Sequence, residues 1–138
     1  MARTLIALAA HGPFAPALIE SAGMVFGTSP DVEAFALMPG MDPFEYREKL
    51  VTYLDEHAED DCLVLVDLFG GTPSNMAASL SGRDNVEVVS GLNLPMLIEV
   101  MARKDGMTLA ELRDLAIEAG SASAIDVKRR VLEAKKQR

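Results

Sequence analysis

The chain has 138 residues, 49% of them hydrophobic, enough for one domain with a sizeable core. Net charge is −8, but unevenly placed: residues 1–127 carry 7 Lys/Arg against 20 Asp/Glu, a net −13, while Lys128, Arg129, Arg130, Lys135, Lys136 and Arg138 oppose only Glu133. An acidic body argues against nucleic-acid binding and favours a basic protein partner. The basic tail reads as a solubilising helix end. No apolar run approaches the roughly 18 residues of a membrane span. The apolar start lacks a positive region followed by a cleavage site, so a cytoplasmic location is expected. Cys62 is the only cysteine, has no internal disulfide partner, and reads as a small buried hydrophobe. Tryptophan is absent and aromatics are 5%, so aliphatic residues and methionine must fill the core, Met96 and Met101 among them.

Residues 4–10 read as a buried strand. Pro13 to Val25 follows as a helix with Ala17, Leu18, Ala22 and Val25 on one side. Val32 to Met38 is strand-like and Pro39-Gly40 ends it. Asp42 is placed to cap a helix with Pro43 at its first position, running to about Ala58 and burying Phe44, Leu50, Val51 and Leu54. Cys62 to Val66 is a strand without polar alternation, as in parallel sheets covered on both faces. A short helix over Pro73 to Leu80 and a strand over Val86 to Val89 come next. Leu94 to Ala102 reads as a helix, and Thr108 with Glu111 forms a capping box for the last long one. From Ala124 to Val131 periodicity fits a final strand or more helix equally. The alternation of strand and helix is a doubly wound α/β pattern with a mainly parallel central sheet flanked by helices.

Two strand ends carry chemistry. His11 closes the run Leu5-Ile6-Ala7-Leu8-Ala9-Ala10 and precedes Gly12-Pro13. Open parallel sheets build their sites at the carboxyl ends of strands. Asp67 closes the second apolar strand, where an unpaired carboxylate is costly. A histidine that carries a phosphoryl group needs one ring nitrogen facing outward and the other held by an acceptor, and a carboxylate is the usual orienter. The turn Gly70-Gly71-Thr72-Pro73 adds glycines for close backbone approach, with Thr72 as an expected helix cap. Its amides and the Thr72 hydroxyl are suited to phosphoryl oxygens. His57, in an acidic turn, reads as surface. There is no Cys/His/Asp cluster of metal spacing, no Walker-type Gly-Lys-Ser/Thr and no Gly-x-Gly-x-x-Gly, so neither metal nor cofactor is expected.

At these residues a resemblance becomes specific. Ile6–Gly12, Leu65–Asn75 and Val88–Leu97 resemble, in order, motifs of the IIA component of the mannose/fructose/sorbose family of the bacterial sugar phosphotransferase system. The likeness covers roughly residues 3–120. It implies that His11 accepts phosphate from the phosphocarrier HPr and donates it to a separate IIB component. It also implies that Asp67 hydrogen-bonds the ring nitrogen not carrying phosphate, and that Gly71 and Thr72 hold the anion. Gly12, Gly70 and Asn93 are then supporting residues, Asn93 through a loop set near the site. The resemblance further implies a homodimer that exchanges a C-terminal strand, here around Ile125 to Val131, and membrane association only through transporter partners. On that reading residues 1–131 are a phosphotransferase IIA-type domain and 132–138 a basic extension. Ser74 departs from the phenylalanine often found at its place. A regulatory phosphoprotein of the same fold, the phosphocarrier subunit of a dihydroxyacetone kinase system, and a binding protein without phosphoryl transfer are the other readings.

Overall fold

A strand without polar residues must be covered on both faces, and Leu5–Ala10 and Cys62–Val66 are such strands. The computed structural model describes residues 3–137. Strands β1 (Thr4–His11), β2 (Val32–Leu37), β3 (Asp61–Val66) and β4 (Val86–Ser90) form one parallel sheet in the order β2-β1-β3-β4. The helices are α1 (Phe14–Val25), α2 (Pro43–Glu56), α3 (Thr72–Ala78), α4 (Leu94–Arg103), α5 (Leu109–Ser121) and α6 (Val127–Lys136). Strand period sorts the side chains. Ile6, Leu8, Ala10, Leu63 and Leu65 face a core built with α1, α4 and α5. Leu5, Ala7, Ala9, Cys62, Val64 and Val66 face one built with α2 and α3. Each large apolar side chain so buried contributes about 1.5–3 kcal/mol, which makes the two central strands the firmest part of the molecule.

The amino ends of the strands are tied by charge. Lys104 is buried and donates to Asp31 at 2.7 Å and to Asp105 at 3.0 Å. Arg3 donates to the other Asp31 oxygen at 3.2 Å. The opposite end, where β1 and β3 finish, is left to loops. From β1 the chain passes to β2 on one side, then returns to β3 on the other. The direction of winding therefore reverses between β1 and β3, and a crevice opens outside their carboxyl ends.

Several local expectations are met in detail. Asp42 caps α2 by accepting from the Phe44 amide, and Thr108 with Glu111 forms the full capping box of α5. Met96, Met101 and Cys62 are buried. Burial pushes the Cys62 thiol up to about 12, which leaves it inert near neutral pH. No helix among the described residues is long and apolar enough to cross a membrane.

Three expectations are corrected. In α1 the inward stripe is Ala15, Leu18, Ile19 and Ala22, so Ala17 and Val25 are exposed. In α2 it is Tyr46, Leu50, Tyr53 and Leu54. Phe44, at the second position of α2, is exposed and lies off this stripe. The strand expected around Ile125 to Val131 is instead the start of α6. Asp126 caps it by accepting from the Arg129 amide, Arg129 pairs with Glu133 one turn on, and Lys135 and Lys136 sit at its carboxyl end. A helix satisfies its own amides, whereas a strand needs a neighbour, and these local terms favour the helix. The helix runs through the boundary expected at residue 131 and buries none of its side chains. Arg138 of the expected extension lies outside the described residues.

Candidate functional site

The reversal point brings His11 and Asp67 together from 56 residues apart. Ala9 pairs with Val66 in the β1–β3 register, so His11 and Asp67 leave adjacent strand ends. Asp67 Oδ2 accepts twice from His11, at 3.0 Å from its backbone amide and at 2.8 Å from ring Nδ1. One carboxylate oxygen thus fixes both the backbone and the ring. Burial alone would raise the Asp67 carboxyl. The hydrogen bonds from the His11 amide and ring, with the charge on the ring, outweigh it and hold the group below its ordinary range. Asp67 Oδ1 is buried without a hydrogen-bond partner among the described residues.

With Nδ1 bound to Asp67, Nε2 is the free ring nitrogen, and the His11 side chain is 46% exposed. Gly71 lies against this edge of the ring. A Cβ added to Gly71 would stand 2.7 Å from Cε1, closer than real Cβ contacts, and a tight 3.3 Å from Nε2. Only glycine lets the backbone approach so near. Gly70 turns the chain with φ of +90°, and its carbonyl accepts from the Asn75 side chain. Gly12 carries the chain out of β1, its amide donating to Leu37 O at 2.8 Å.

Thr72 occupies the first position of α3 rather than its cap, and Gly71 is the cap residue. The expected Thr72 cap is therefore corrected: the chain enters the helix one residue early, with Pro73 at the second position. The Thr72 side chain instead lines a hollow of about 350 Å³ shared with His11. Its other walls come from Leu37 at the end of β2 and from Met38, Pro39 and Met41 of the β2–α2 connection. This apolar wall is a part of the site that sequence reasoning missed. The Pro39-Gly40 break was visible, but nothing local showed that it folds back onto His11.

Asn93 is placed elsewhere. Its Oδ1 caps α4 by accepting from the Met96 amide, and its Nδ2 donates to Gly120 O and Ser123 Oγ at the end of α5. Its loop reaches the site through the backbone, where Leu92 N donates to Val66 O next to Asp67. His57 lies at the end of α2 against Tyr53, with Nδ1 at 2.8 Å from Tyr53 O.

This arrangement can hold a neutral imidazole in one tautomer, present Nε2 as a nucleophile and support the positive ring that forms when Nε2 gains an electrophile. The model of the family described as "PTS system fructose IIA component" matches residues 5–117. The chain is 37% identical over 109 residues to the fructose-specific EIIA component of Bacillus subtilis, a match covering 78% of this chain and 75% of that one. It is 35% identical over 118 residues to the mannose-specific EIIAB component of Escherichia coli K12, covering 83% of this chain and 36% of that longer protein. A crystal structure of an EIIA component from Streptococcus agalactiae superposes with a TM-score of 0.82 at 29% identity, covering 91% of this chain and 98% of that one.

Proposed function

The chain belongs to the fructose IIA family of the sugar phosphotransferase system and is a histidine phosphocarrier, and we propose that His11 is the residue that carries the phosphoryl group. The donor is the phosphohistidine of HPr and the acceptor a IIB component, partners of the kind this family serves. The Nε2 lone pair of His11 attacks phosphorus as the donor's N–P bond breaks. Asp67 holds the Nδ1 proton throughout and stabilises the cationic ring that results. The ring then passes the group on by the reverse sequence, regaining the neutral tautomer. The Gly71 backbone and the Thr72 hydroxyl receive the phosphoryl oxygens. Such a transfer is positioning plus electrostatics, and these residues supply both.

The observation that carries this reading is the double contact of His11 with Asp67 at the sheet's reversal point, which leaves Nε2 free beside Gly71. The acidic body of residues 1–127 suits a basic docking face on HPr. A homodimer is part of the proposal. Ile125, Val127, Val131 and Leu132 expose apolar side chains on a basic segment that finds no seat on its own acidic body.

Incubation with enzyme I, HPr and labelled phosphoenolpyruvate tests the assignment. His11→Ala is expected to abolish acid-labile, base-stable labelling, and His57→Ala to leave it intact. Labelling that survives in the His11→Ala protein overturns the assignment.

A further inference from the structure

Tyr46 belongs to none of the motifs that mark the site, yet it heads the fully buried side chains by volume among the described residues. It sits in the first turn of α2, just after the connection that walls the His11 hollow. Its hydroxyl donates to Phe35 O on β2 at 2.6 Å. The β1–β2 ladder, with Ile6 N on Asp31 O and Gly12 N on Leu37 O, places the Ala10 amide, one residue before His11, on that same carbonyl. Burial first, and then the negative charge of Asp67, push the phenol's ionisation far up, against the smaller opposite pull of the Ala10 amide. The hydroxyl therefore keeps its proton.

A phenol has one proton to donate. Phe35 O takes it, so none goes to Asp67, whose Oδ1 has no partner among the described residues. The phenol thus ties the first turn of α2 to the Phe35 carbonyl, at a point of β2 paired with Ala9 of β1, two pairs before His11 and Leu37. Because Asp67 Oδ2 takes both the His11 amide and the ring, a shift of the Ala10–His11 backbone disturbs two hydrogen bonds together.

We propose that Tyr46 is a positioning residue for phosphoryl transfer, its hydroxyl fixing the Phe35 carbonyl of β2, on which the carboxyl end of β1 is laddered, so that the His11 ring stays seated on Asp67. The inference rests on the assignment of His11 as phosphoryl acceptor. Tyr46 is fully buried, so it touches neither HPr nor a IIB component. Its loss therefore acts on turnover and not on partner affinity.

The test uses the full chain with Tyr46→Phe and, as a packing control on the same helix, Leu50→Val. Labelling of His11 in the parent protein is established first, since its failure overturns the site assignment and this inference together. Expected for Tyr46→Phe is a cooperative melt, a KM for phospho-HPr within about twofold, and a kcat lowered about tenfold, as for a displaced reacting group. The downfield proton resonance of the His11 Nδ1–Asp67 hydrogen bond should move upfield. Leu50→Val should leave kcat and that resonance in place. A Tyr46→Phe protein with the parent's kcat and resonance, or a Leu50→Val protein with the same losses, overturns the inference. If Tyr46→Phe does not fold, 3-fluorotyrosine in a Tyr53→Phe background alters the phenol's donor strength at position 46 alone. The His11 resonance is then expected to shift, and an unmoved resonance overturns the inference.

Discussion

Replacing Gly71 by alanine adds one methyl group at the most crowded point of the site. The backbone there is extended, with φ of −81° and ψ of 172°, which alanine adopts without strain. Loss of unfolded-chain freedom favours the variant by about 0.4–1 kcal/mol, so the fold should be unharmed. The ring is another matter. The new Cβ would stand 2.7 Å from His11 Cε1, where ordinary contacts begin near 3.4 Å, so the imidazole must retreat by about 0.7 Å. It cannot retreat toward Asp67, which already stands 2.8 Å from Nδ1. It must swing away, and the hydrogen bond that fixes its tautomer is stretched or lost. A misplacement of about 1 Å costs on the order of a hundredfold in rate, or roughly 2.7 kcal/mol of barrier. Quench-flow measurement of transfer from phospho-HPr, beside a thermal melt followed by circular dichroism, reads both effects. A variant that melts no lower than the parent but transfers about a hundredfold more slowly is expected. Transfer within about threefold of the parent rate would refute the idea that Gly71 is required for the seating of the ring.

Asp67→Asn should keep the fold and slow transfer by roughly ten- to a thousandfold, because the amide no longer supports the cationic ring; an unchanged rate in quench-flow removes Asp67 from the mechanism. The folded Asp67 carboxyl lies below its unfolded value, so its stabilising contribution is complete above about pH 4 and is lost as pH falls through the lower folded value. The stability gap between parent and Asp67→Asn, from urea titrations, should therefore close on acidification below about pH 4, and a gap that widens there contradicts the assignment. Lys104→Ala leaves Asp31 with Arg3 alone at the far end of the sheet and should cost about 3 kcal/mol in urea unfolding, the low end for a broken buried pair. A loss below about 1 kcal/mol would show the cluster to be no more than a surface feature. Deleting residues 124–138 removes no buried side chain and keeps the Asn93–Ser123 contact, so the melting temperature should hold. The same deletion should convert a dimer to a monomer in sedimentation equilibrium, and a shortened chain that stays dimeric places the contact elsewhere.

Much of this protein is legible along the chain because its signals are local. Runs such as Ile6–Ala10 and Cys62–Val66 declare buried parallel strands, since only a sheet covered on both faces tolerates them. Asp42-Pro43 and Thr108 with Glu111 mark helix starts through hydrogen bonds that span two or three residues. His11 and Asp67 are each conspicuous for the same reason: a polar group ends an apolar strand. The resemblance of three ordered motifs then identifies the class of chemistry. Helix faces are less legible. In α2 the tyrosines at 46 and 53 supply the buried stripe while Phe44 stays outside, because exposure depends on which face of the helix meets the sheet and not on hydrophobicity. The C-terminal segment is ambiguous in sequence because Val127 and Val131 suit a strand while the cap at Asp126 and the Arg129–Glu133 pair suit a helix.

Only the tertiary structure decides what depends on approach in space. The strand order β2-β1-β3-β4 makes β1 and β3 neighbours, and without that adjacency His11 and Asp67 would be two unrelated residues. Folding places Gly71 so near the ring that no Cβ fits, and it turns the Pro39-Gly40 connection into the wall of the hollow. It also carries the Asn93 side chain to the end of α5, and brings the Tyr46 hydroxyl onto the Phe35 carbonyl of β2. Residue type and spacing determine which elements form and which side chains are chemically able, because those are properties of a few consecutive residues. Which atoms meet is determined by the winding of the sheet, because a distance of 2.8 Å between residues 56 apart is a property of the whole fold.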